Sequence, residues 1–346
     1  MVYIGNYSFL IFNYSSILMT LTSDLKIPVV IDCDPGADDM FALVWALIMH
    51  KRGYISIKAL TTSGGNVPAQ ATYENAIRAC MMMGVDDIKI AKGKDKEGAE
   101  NASHIHGNDG VGGLSKLLPV VKEVEKYDSE ELLIELIKKY GDELEVLATG
   151  PLSNLARIET ANPGILKQVK RVICMGGAFF DPGNVSPVAE FNFWYDPESA
   201  KVVMNSGADL VIAPLDLTTQ LPFTMNELYD FIDHVNHEEH RAFLKGLTEF
   251  TISTNMGFRE THHEKGFYVH DASTVGFLIY PHIYSGTYYS VDIETKGELT
   301  KGQSVIDSRN YPQPKANAYV LMDMKHSWFL EAITEDFKDF DFEEKK

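Results

Sequence analysis

Residues 29–47 read VVIDCDPGADDMFALVWAL, in which a short turn separates two apolar runs. The first run is β-branched and typical of a buried strand, the Pro-Gly pair favours a tight turn, and the second run indicates a helix. The region holds four aspartates within eight positions: Asp32, Asp34, Asp38 and Asp39. Carboxylates so close together repel one another and take up protons unless a positive charge lies among them. Capping of the helix accounts for Asp38 or Asp39 but not for all four.

A hard divalent cation is the positive charge that this cluster indicates, because hard cations prefer oxygen ligands. Ca²⁺ takes about six to eight oxygen ligands and tolerates bidentate carboxylates, whereas Mg²⁺ requires stricter octahedral geometry. No pair of thiolates or histidines accompanies the aspartates in this stretch, which argues against zinc. Alternation along a strand places Asp32 and Asp34 on one side and Cys33 on the other, toward the core.

The rest of the chain alternates short β-branched runs with longer amphipathic stretches. This alternation predicts an α/β fold with a mostly parallel central sheet covered by helices on both faces. We find neither repeats nor a break in composition, so a single domain over residues 27–340 is expected. The predicted strands span residues 27–34, 55–65, 88–93, 144–150, 171–177, 210–218, 287–294 and 317–324. The predicted helices span residues 38–50, 68–83, 129–140, 152–158, 197–205, 225–264 and 327–337.

Five predicted strands end in residues that are candidates for a functional site: Asp34, Asn66, Thr149, Met175 and Asp216. In open parallel sheets, ligands bind in the crevice beyond the carboxyl ends of the strands. Such a sheet would bring these residues, which are far apart in the sequence, to the same edge. We therefore expect one site that is built from several turns.

The composition excludes several classes of partner. The chain has 346 residues, of which 45% are hydrophobic, and it carries a formal net charge of −18. So acidic a protein repels nucleic acid phosphates and anionic membranes, and we expect neither as a partner. The cysteines Cys33, Cys80 and Cys174 stand in apolar stretches, as free thiols in a reducing compartment do. A cytoplasmic location is therefore expected.

The first 24 residues are largely apolar, and no lysine or arginine precedes Lys26. A secretory signal needs a positively charged start and a small-residue cleavage site, and neither is convincing here. A weak export signal or anchor is one alternative, and translation from Met19 is another. We expect residues 1–26 to form a disordered extension.

The octapeptide DCDPGADD at residues 32–39 resembles the signature of the nucleoside hydrolases, the inosine-uridine preferring family. The resemblance covers about residues 27–335, and further motifs agree with the family in the same order. They are TSGGN at 62–66, HGNDGVGG at 106–113, ATGPLSNLA at 148–156, the segment 175–200 and VHDAS at 269–273. The ordered set is much more specific than one octapeptide. It implies a Rossmann-like fold and hydrolysis of the N-glycosidic bond of ribonucleosides.

By this resemblance the aspartates bind Ca²⁺ and activate a water molecule. Asp34 would be the general base and would also contact the metal, and Asp39 would be a bidentate ligand. Asp271 and the backbone carbonyl of Thr149 would complete the metal site, while Asp32 would support it from behind.

The resemblance also implies how the sugar and the base are bound. Residues that would bind ribose are Asp38, Asn66, Met175, Asn184, Glu190 and Asn192. His106 and His270 would lie near the base, and His270 is the candidate acid that protonates the departing base. Glu190 and Asn192 are two positions apart, so both would face one side of an extended chain and match the vicinal hydroxyls of a sugar.

His270 precedes Asp271, whereas the purine-specific branch of the family has tryptophan at this place and stacks bases on tryptophan. The resemblance therefore favours a pyrimidine or a broad inosine-uridine preference. Homo-oligomers are usual in the family, so a homodimer or a homotetramer is expected.

The residues alone leave two other functions open. Haloacid dehalogenase-like phosphatases also carry Asp-x-Asp after a first strand and use Mg²⁺, and residues 32–34 satisfy that pattern. Phosphate binding requires basic groups, however, and the motif loops lack lysine and arginine. A nucleoside-binding or calcium-binding protein without turnover would keep the fold, but the presence of Asp34, Asp39, His270 and Asp271 together argues against it.

Overall fold

The computed structural model describes residues 26–121, 125–220, 222–258, 266–309 and 315–338. Apart from Lys26, the expected N-terminal extension lies outside the described residues. Within these ranges, no helix combines the length and the apolar character that crossing a lipid bilayer requires.

The strands of the described residues form one large central sheet and two small sheets beside it. They are β1 (Ile27–Cys33), β2 (Ile55–Thr62), β3 (Lys89–Lys92), β4 (Tyr127–Asp128), β5 (Glu145–Ala148), β6 (Arg171–Met175), β7 (Leu210–Ala213), β8 (Pro222–Thr224), β9 (Gly266–Tyr268), β10 (Tyr284–Tyr289), β11 (Val291–Ile293), β12 (Ser304–Ile306) and β13 (Ala318–Met324). The central sheet has the order β10-β13-β7-β6-β5-β1-β2-β3-β4. Its neighbouring strands are parallel except for the antiparallel pair β10–β13. The predicted mostly parallel sheet is therefore confirmed.

Helices cover both faces of this sheet. They are α1 (Ala37–Arg52), α2 (Ala69–Met82), α3 (Ser103–His106), α4 (Ser129–Tyr140), α5 (Ser153–Ala161), α6 (Phe191–Tyr195), α7 (Pro197–Met204), α8 (Leu215–Thr218), α9 (Met225–Ile232), α10 (Glu238–Phe258), α11 (Ala272–Ile279) and α12 (His326–Lys338). One buried cluster joins Val29, Ile31 and Cys33 of β1 to helices that include α1, α10 and α11. The other cluster joins Val30 of β1 to helices α4, α5 and α7. A two-faced core explains why β1 is apolar at consecutive positions.

Helix α1 begins directly after the aspartate cluster. Asp38 and Asp39 lie in its first turn, where carboxylates are stabilised by the positive end of the helix dipole. The Asp39 carboxylate also accepts a 3.0 Å hydrogen bond from the backbone N–H of Gly36. The helix ends at Gly53, whose φ of 82° is a left-handed conformation that glycine adopts at low cost.

Three predicted elements are shortened or divided in the structure in ways that have a clear local description. The strand predicted at 210–218 ends at Ala213, because Pro214 has no N–H for the ladder, and the helix α8 follows. The helical stretch predicted at 225–264 is divided into α9 and α10, and residues 259–264 lie outside the described residues. The strand predicted at 287–294 is split, since β10 pairs with β13 whereas β11 pairs with β12 in a small sheet.

Candidate active site

A cavity of about 440 Å³ opens at the carboxyl ends of the central strands, and the turns after β1, β2 and β5 and the end of β6 contribute to its wall. The expected site residues that line it are Asp38, Asn66, His106, Thr149, Met175, Asn184, Glu190, Asn192, His270 and Asp271. Asp32, Asp34 and Asp39 are buried next to it, each at most 1% exposed. Asp216 is not a lining residue; its carboxylate accepts the N–H groups of Phe179 and Phe180 and so holds the loop after β6.

Three carboxylates converge in this wall. One oxygen each of Asp38, Asp39 and Asp271 lies within 4.8 Å of the other two. Asp39 is fixed by further hydrogen bonds, since its Oδ2 accepts from Asn66 Nδ2 at 2.8 Å and its Oδ1 accepts from Thr149 Oγ1 at 3.1 Å. The three carboxylates therefore come from the first turn of α1 and from the residue before α11, two segments that are distant in sequence.

Asp34 is connected to this group through Asn66. The backbone N–H of Asn66 donates to Asp34 Oδ2 at 2.7 Å, and the Asn66 side-chain amide donates to the carbonyl oxygen of Asp34 at 3.2 Å. Among the described residues, no donor reaches the second oxygen, Oδ1, although that atom is buried. One oxygen of Asp34 is thus held in place while the other keeps its lone pairs available.

The electrostatics of these carboxylates are unfavourable in the absence of a cation. Burial raises the pKa of Asp34 and of Asp271 well above the usual value, and the negative charge of Asp39 raises both further. Burial also raises the pKa of Asp39. No lysine or arginine of the described residues lines the cavity. Buried oxygen donors without a basic partner, one of them lacking any hydrogen bond, fit a hard divalent cation.

Asp32 lies one layer deeper than Asp34. Its Oδ1 accepts hydrogen bonds from Thr61 Oγ1 at 2.6 Å and from Asn154 Nδ2 at 2.8 Å, and burial raises its pKa to about 6. Its carbonyl oxygen accepts the N–H of Thr149 at 2.8 Å. Asp32 thereby ties the turn after β1 to the neighbouring strand ends.

The segment that carries Glu190 and Asn192 is not extended. Asn192 lies in α6, and Glu190 caps that helix by accepting the N–H groups of Asn192 and Phe193. The expectation that both side chains share one side of an extended chain is wrong, because residues 191–195 are helical. Both residues still line the cavity, since Glu190 caps the helix that carries Asn192. The Asn192 amide donates to the carbonyl oxygens of Thr149 (2.8 Å) and Met175 (3.3 Å).

Glu190 also fixes the turn after β6. Its Oε2 accepts the N–H of Gly177 at 2.9 Å, and burial raises its pKa to about 7. Asn184 supports the same region, since its Oδ1 accepts the N–H of Phe191 at 2.9 Å. Both residues line the cavity and at the same time stabilise the loop that brings them there.

Two half-buried imidazoles line the cavity. His106 Nδ1 accepts the N–H of Ala37 at 3.1 Å, so a neutral ring carries its proton on Nε2. His270 Nδ1 lies 2.7 Å from Thr218 Oγ1, and its ring lies 5.6 Å from that of Tyr268. Burial lowers the pKa of each histidine to about 4, so both are neutral at pH 7 in the unliganded protein.

The comparison with family models identifies the protein class. The model described as "Inosine-uridine preferring nucleoside hydrolase" matches residues 29–331 of this chain. The chain belongs to this family. It is therefore a hydrolase that acts on the N-glycosyl bond of ribonucleosides. The phosphatase alternative, which rested on the Asp-x-Asp pattern alone, is set aside.

Individual relatives agree with this assignment. The pyrimidine-specific ribonucleoside hydrolase RihA of Enterobacter sp. (strain 638) is 29% identical over 321 residues, which cover 91% of this chain and 99% of the relative. The solved purine-preferring ribonucleoside hydrolase from Gardnerella vaginalis superimposes with a TM-score of 0.81 at 26% identity and covers 90% of this chain and 98% of its own. The plant nucleoside hydrolase PpNRh1 has the same TM-score and identity, with 91% and 100% covered.

Sequence reasoning missed one wall of the active site of this nucleoside hydrolase. Helix α10 lines the cavity with Phe250, Thr251, Thr254 and Asn255, which share one helix face. The sequence signal for these residues was their helical spacing, which places them on one face. Such spacing usually marks the face of a helix that packs against the core, so it did not indicate an active site. Trp194 was also missed; it lines the cavity, and the Lys301 ammonium lies 4.6 Å from the centre of its ring.

Proposed function

We propose that this nucleoside hydrolase prefers pyrimidine ribonucleosides such as uridine, and that Asp34 and His270 carry the reaction with Ca²⁺ bound beside them. The observation that carries this proposal is the group of buried carboxylates next to an uncharged cavity wall. Cleavage of an N-glycosidic bond passes through an oxocarbenium-like transition state, as glycoside hydrolysis does. Carboxylates beside the ribose would stabilise the positive charge that develops there.

The residues that would hold Ca²⁺ are Asp34, Asp39, Asp271 and the carbonyl oxygen of Thr149. Asp38, whose carboxylate lies within 4.8 Å of those of Asp39 and Asp271, fits a position between the cation and the ribose hydroxyls. The Thr149 carbonyl has two lone pairs and accepts one hydrogen bond from Asn192, so it retains a lone pair for a ligand. When bound, the cation would supply positive charge among the carboxylates and lower the pKa of a nearby water molecule.

Asp34 is the proposed general base. Its Oδ2 is held by the Asn66 N–H, while Oδ1 keeps its lone pairs for a proton. A general base must lie within hydrogen-bond reach of the proton that it accepts, and an oxygen without a competing donor suits that role.

The proposed ribose site contains groups that can still bond a hydroxyl. Glu190 accepts three backbone N–H groups, and a carboxylate has about four lone-pair directions, so one remains for a sugar hydroxyl. Asp38, Asn66, Met175, Asn184 and Asn192 complete the proposed set, which lines the same cavity. A phosphate group would meet these carboxylates without a basic partner among the described lining residues, so nucleosides fit better than nucleotides.

His270 is proposed to protonate the departing base. Because its pKa in the unliganded protein is about 4, the imidazole has to gain its proton when the substrate is bound and negative charge develops on the base. The Thr218 hydroxyl can either donate to or accept from Nδ1, so it can hold the ring in both protonation states. His106 has its Nδ1 occupied by a backbone donor and fits a hydrogen-bond donor through Nε2.

The proposed base preference is supported by α10 and by the name of one relative. Thr251 and Thr254 donate their hydroxyl protons to carbonyl groups of their own helix, at 2.8 and 3.0 Å, and can still accept hydrogen bonds from a base. The Asn255 amide can pair with the neighbouring carbonyl and N–H groups of a uracil ring. Pyrimidine specificity is printed in the name of the RihA relative, whereas the Gardnerella vaginalis relative is named purine-preferring.

The domain, the location, the oligomeric state and the partners of the protein belong to the same proposal. The catalytic unit would span residues 27–340, close to the matched range of 29–331. The protein would act in the cytoplasm, which its buried free cysteines support. It would be a homodimer or a homotetramer, as the resemblance to the family implies. Neither nucleic acid nor membrane would be a partner, because the net charge is −18.

Release of the free nucleobase from a panel of substrates tests the function. The panel contains uridine, cytidine, inosine, deoxyuridine and uridine monophosphate, and elemental analysis of the same preparation measures bound metal. We expect uridine to have the highest kcat/KM, deoxyuridine and the nucleotide to react far more slowly, and one Ca²⁺ to be bound per chain. Preference for inosine would overturn the base preference, and stoichiometric zinc would overturn the metal. Binding of nucleosides without release of the nucleobase would favour a protein without turnover.

A further inference from the structure

The Asp34 carboxylate lies between two glycines. Strand β1, which ends one residue before Asp34, lies between β5 and β2 in the sheet. Gly150 lies in the turn after β5 and Gly65 in the turn after β2. A Cβ atom added to Gly65 would lie 2.0 Å from Asp34 Oδ2, and one added to Gly150 would lie 2.6 Å from Asp34 Oδ1. Neither position therefore accepts even a methyl group while Asp34 keeps its place.

The backbone conformation does not explain these glycines. Neither Gly65 nor Gly150 has a φ angle in the left-handed region that glycine favours, although many glycines of this chain do. Any L-residue could adopt such a φ without strain. The requirement for glycine at these two positions comes mainly from the neighbouring carboxylate. An added Cβ would also lie 2.9 Å from Pro151 Cδ at Gly65 and 3.0 Å from the Asp34 backbone nitrogen at Gly150.

We propose that Gly65 and Gly150 are positioning residues that form a slot for the Asp34 carboxylate. The inference rests on the proposed role of Asp34. A carboxylate that must accept a proton has to be oriented without having all its lone pairs occupied. The Asn66 N–H fixes Oδ2, and close backbone approach at Gly150 confines Oδ1, to which no described residue donates a hydrogen bond. Close backbone contact thus orients Asp34 Oδ1 without a hydrogen bond, so that this oxygen can still accept a proton.

Kinetics of Gly65→Ala and Gly150→Ala give the first test. The methyl group of Gly65→Ala, at 2.0 Å from Asp34 Oδ2, would displace the carboxylate by about an ångström or more, and that of Gly150→Ala, at 2.6 Å from Oδ1, would displace it by less. A misplacement of about 1 Å lowers catalytic rates by about 10²-fold in enzymes. We expect kcat for uridine to fall by about that factor in calcium-saturated protein. KM should change much less, since Asn66 is the one proposed ribose-binding residue next to either glycine in sequence. Unchanged kcat in both variants would overturn the slot.

A double-mutant cycle on thermal stability gives the second test, independent of activity. Gly65→Ala should lower Tm in the parent protein, and at least half of that loss should disappear in the Asp34→Ala background. Some loss should remain, because the added Cβ would also lie 2.9 Å from Pro151 Cδ. Gly64→Ala is the matched control. Its Cβ would lie 2.2 Å from Asp95 Oδ1, so its effect on Tm should be the same in both backgrounds.

The possible outcomes separate the slot from the role of Asp34. An equal loss of Tm for Gly65→Ala in both backgrounds would overturn the slot. If Gly65→Ala does not fold, the proposal requires that the double variant Gly65→Ala with Asp34→Ala does fold. If the double variant does not fold either, the slot is overturned. If Asp34→Ala keeps a near-normal kcat, the proposed catalytic role fails, while the coupling in Tm still decides whether the slot exists.

Discussion

The cavity of this nucleoside hydrolase has two walls that differ in origin and in charge. The turns after the central strands supply carboxylates, among them Asp38 and Asp271, and backbone N–H groups fix several of the acidic side chains in place. Helix α10 supplies an uncharged wall that contains Phe250 and Asn255. The first wall comes from the sheet and the second from a helix outside it. We infer that the strand-end wall carries the chemistry shared by the family, and that the helix wall selects the base.

The largest expected effect is on the strand-end wall. Asp34→Ala removes the proposed general base, which alone contributes about 10² to 10⁴ in rate, and it also disturbs the proposed metal site. We expect kcat for uridine to fall by at least that factor, with the far-ultraviolet circular dichroism spectrum unchanged. Asp128→Ala is the control, because Asp128 caps α4 by accepting from the Glu130 N–H at 2.9 Å and is not a lining residue. A calcium-loaded Asp34→Ala protein with near-normal kcat would contradict the assignment.

The strand-end wall was predictable from the sequence for a physical reason. Asp34, Asn66, Thr149 and Met175 follow or end buried parallel strands, so the period and the apolar character of the strands place them at one edge of the sheet. The position that the strand pattern predicts for these residues is the one they have in the structure, and each of them lies at or next to the cavity.

The helix wall was not predictable in the same way. Phe250 and Asn255 lie on a helix whose position relative to the sheet depends on long-range packing, and their spacing is the same as that of core residues. The prediction of an extended chain at Glu190 and Asn192 was wrong for a related reason. A short run before an Asp-Pro pair reads equally well as a loop or a strand, and capping by Glu190 makes it the helix α6.

The next largest effect is expected for His270→Ala, and it should differ between two substrates. Uracil and hypoxanthine leave poorly as anions, whereas p-nitrophenolate leaves well without a proton. His270→Ala should therefore slow uridine hydrolysis by about 10²-fold or more and change p-nitrophenyl riboside hydrolysis little. His106→Ala provides the matched comparison, because that ring is also half-buried and neutral at pH 7.

Three results are possible for the two substrates in calcium-saturated His270→Ala. A loss confined to uridine supports proton donation to the base. An equal loss on both substrates would instead mean that His270 positions Asp271, its neighbour in sequence, and so acts through the metal. No loss on either substrate would remove His270 from the mechanism.

A smaller effect is expected on the helix wall. Asn255→Leu removes the amide that we assign to the base but leaves the carboxylates unchanged. The kcat/KM ratio of uridine to inosine should fall by about tenfold, which corresponds to roughly one hydrogen bond. Inhibition by ribose should stay the same, since ribose would contact only the strand-end wall. Asn205→Ala is the control, because Asn205 is exposed and its amide donates to Lys201 O. An unchanged substrate ratio would remove Asn255 from base selection.

The smallest expected effect is on the pH dependence of stability in the absence of a cation, and we assign it to the carboxylates of the strand-end wall. Burial raises the pKa of Glu190 to about 7 and that of Asp34 and Asp271 well above the usual range. In the unfolded chain these carboxyls lose their protons near pH 4, so from there upward the folded state binds more protons. By linkage, the free energy of unfolding then decreases as the pH rises through the folded pKa values.

Histidines contribute with the opposite sign but in a lower window. Burial lowers the pKa of His106 and His270 from 6.5 to about 4, so their contribution to stability increases between these two values and is complete above pH 6.5. Of these two sets of groups, only the carboxyls still give a slope above pH 6.5. In chelator, Tm should fall by a few degrees between about pH 6.5 and 8, and saturating Ca²⁺ should remove most of that fall, because the cation favours the ionised carboxylates. A Tm that rises over this window in chelator, or an equal fall with and without Ca²⁺, would mean that the carboxylates of the strand-end wall do not share a cation.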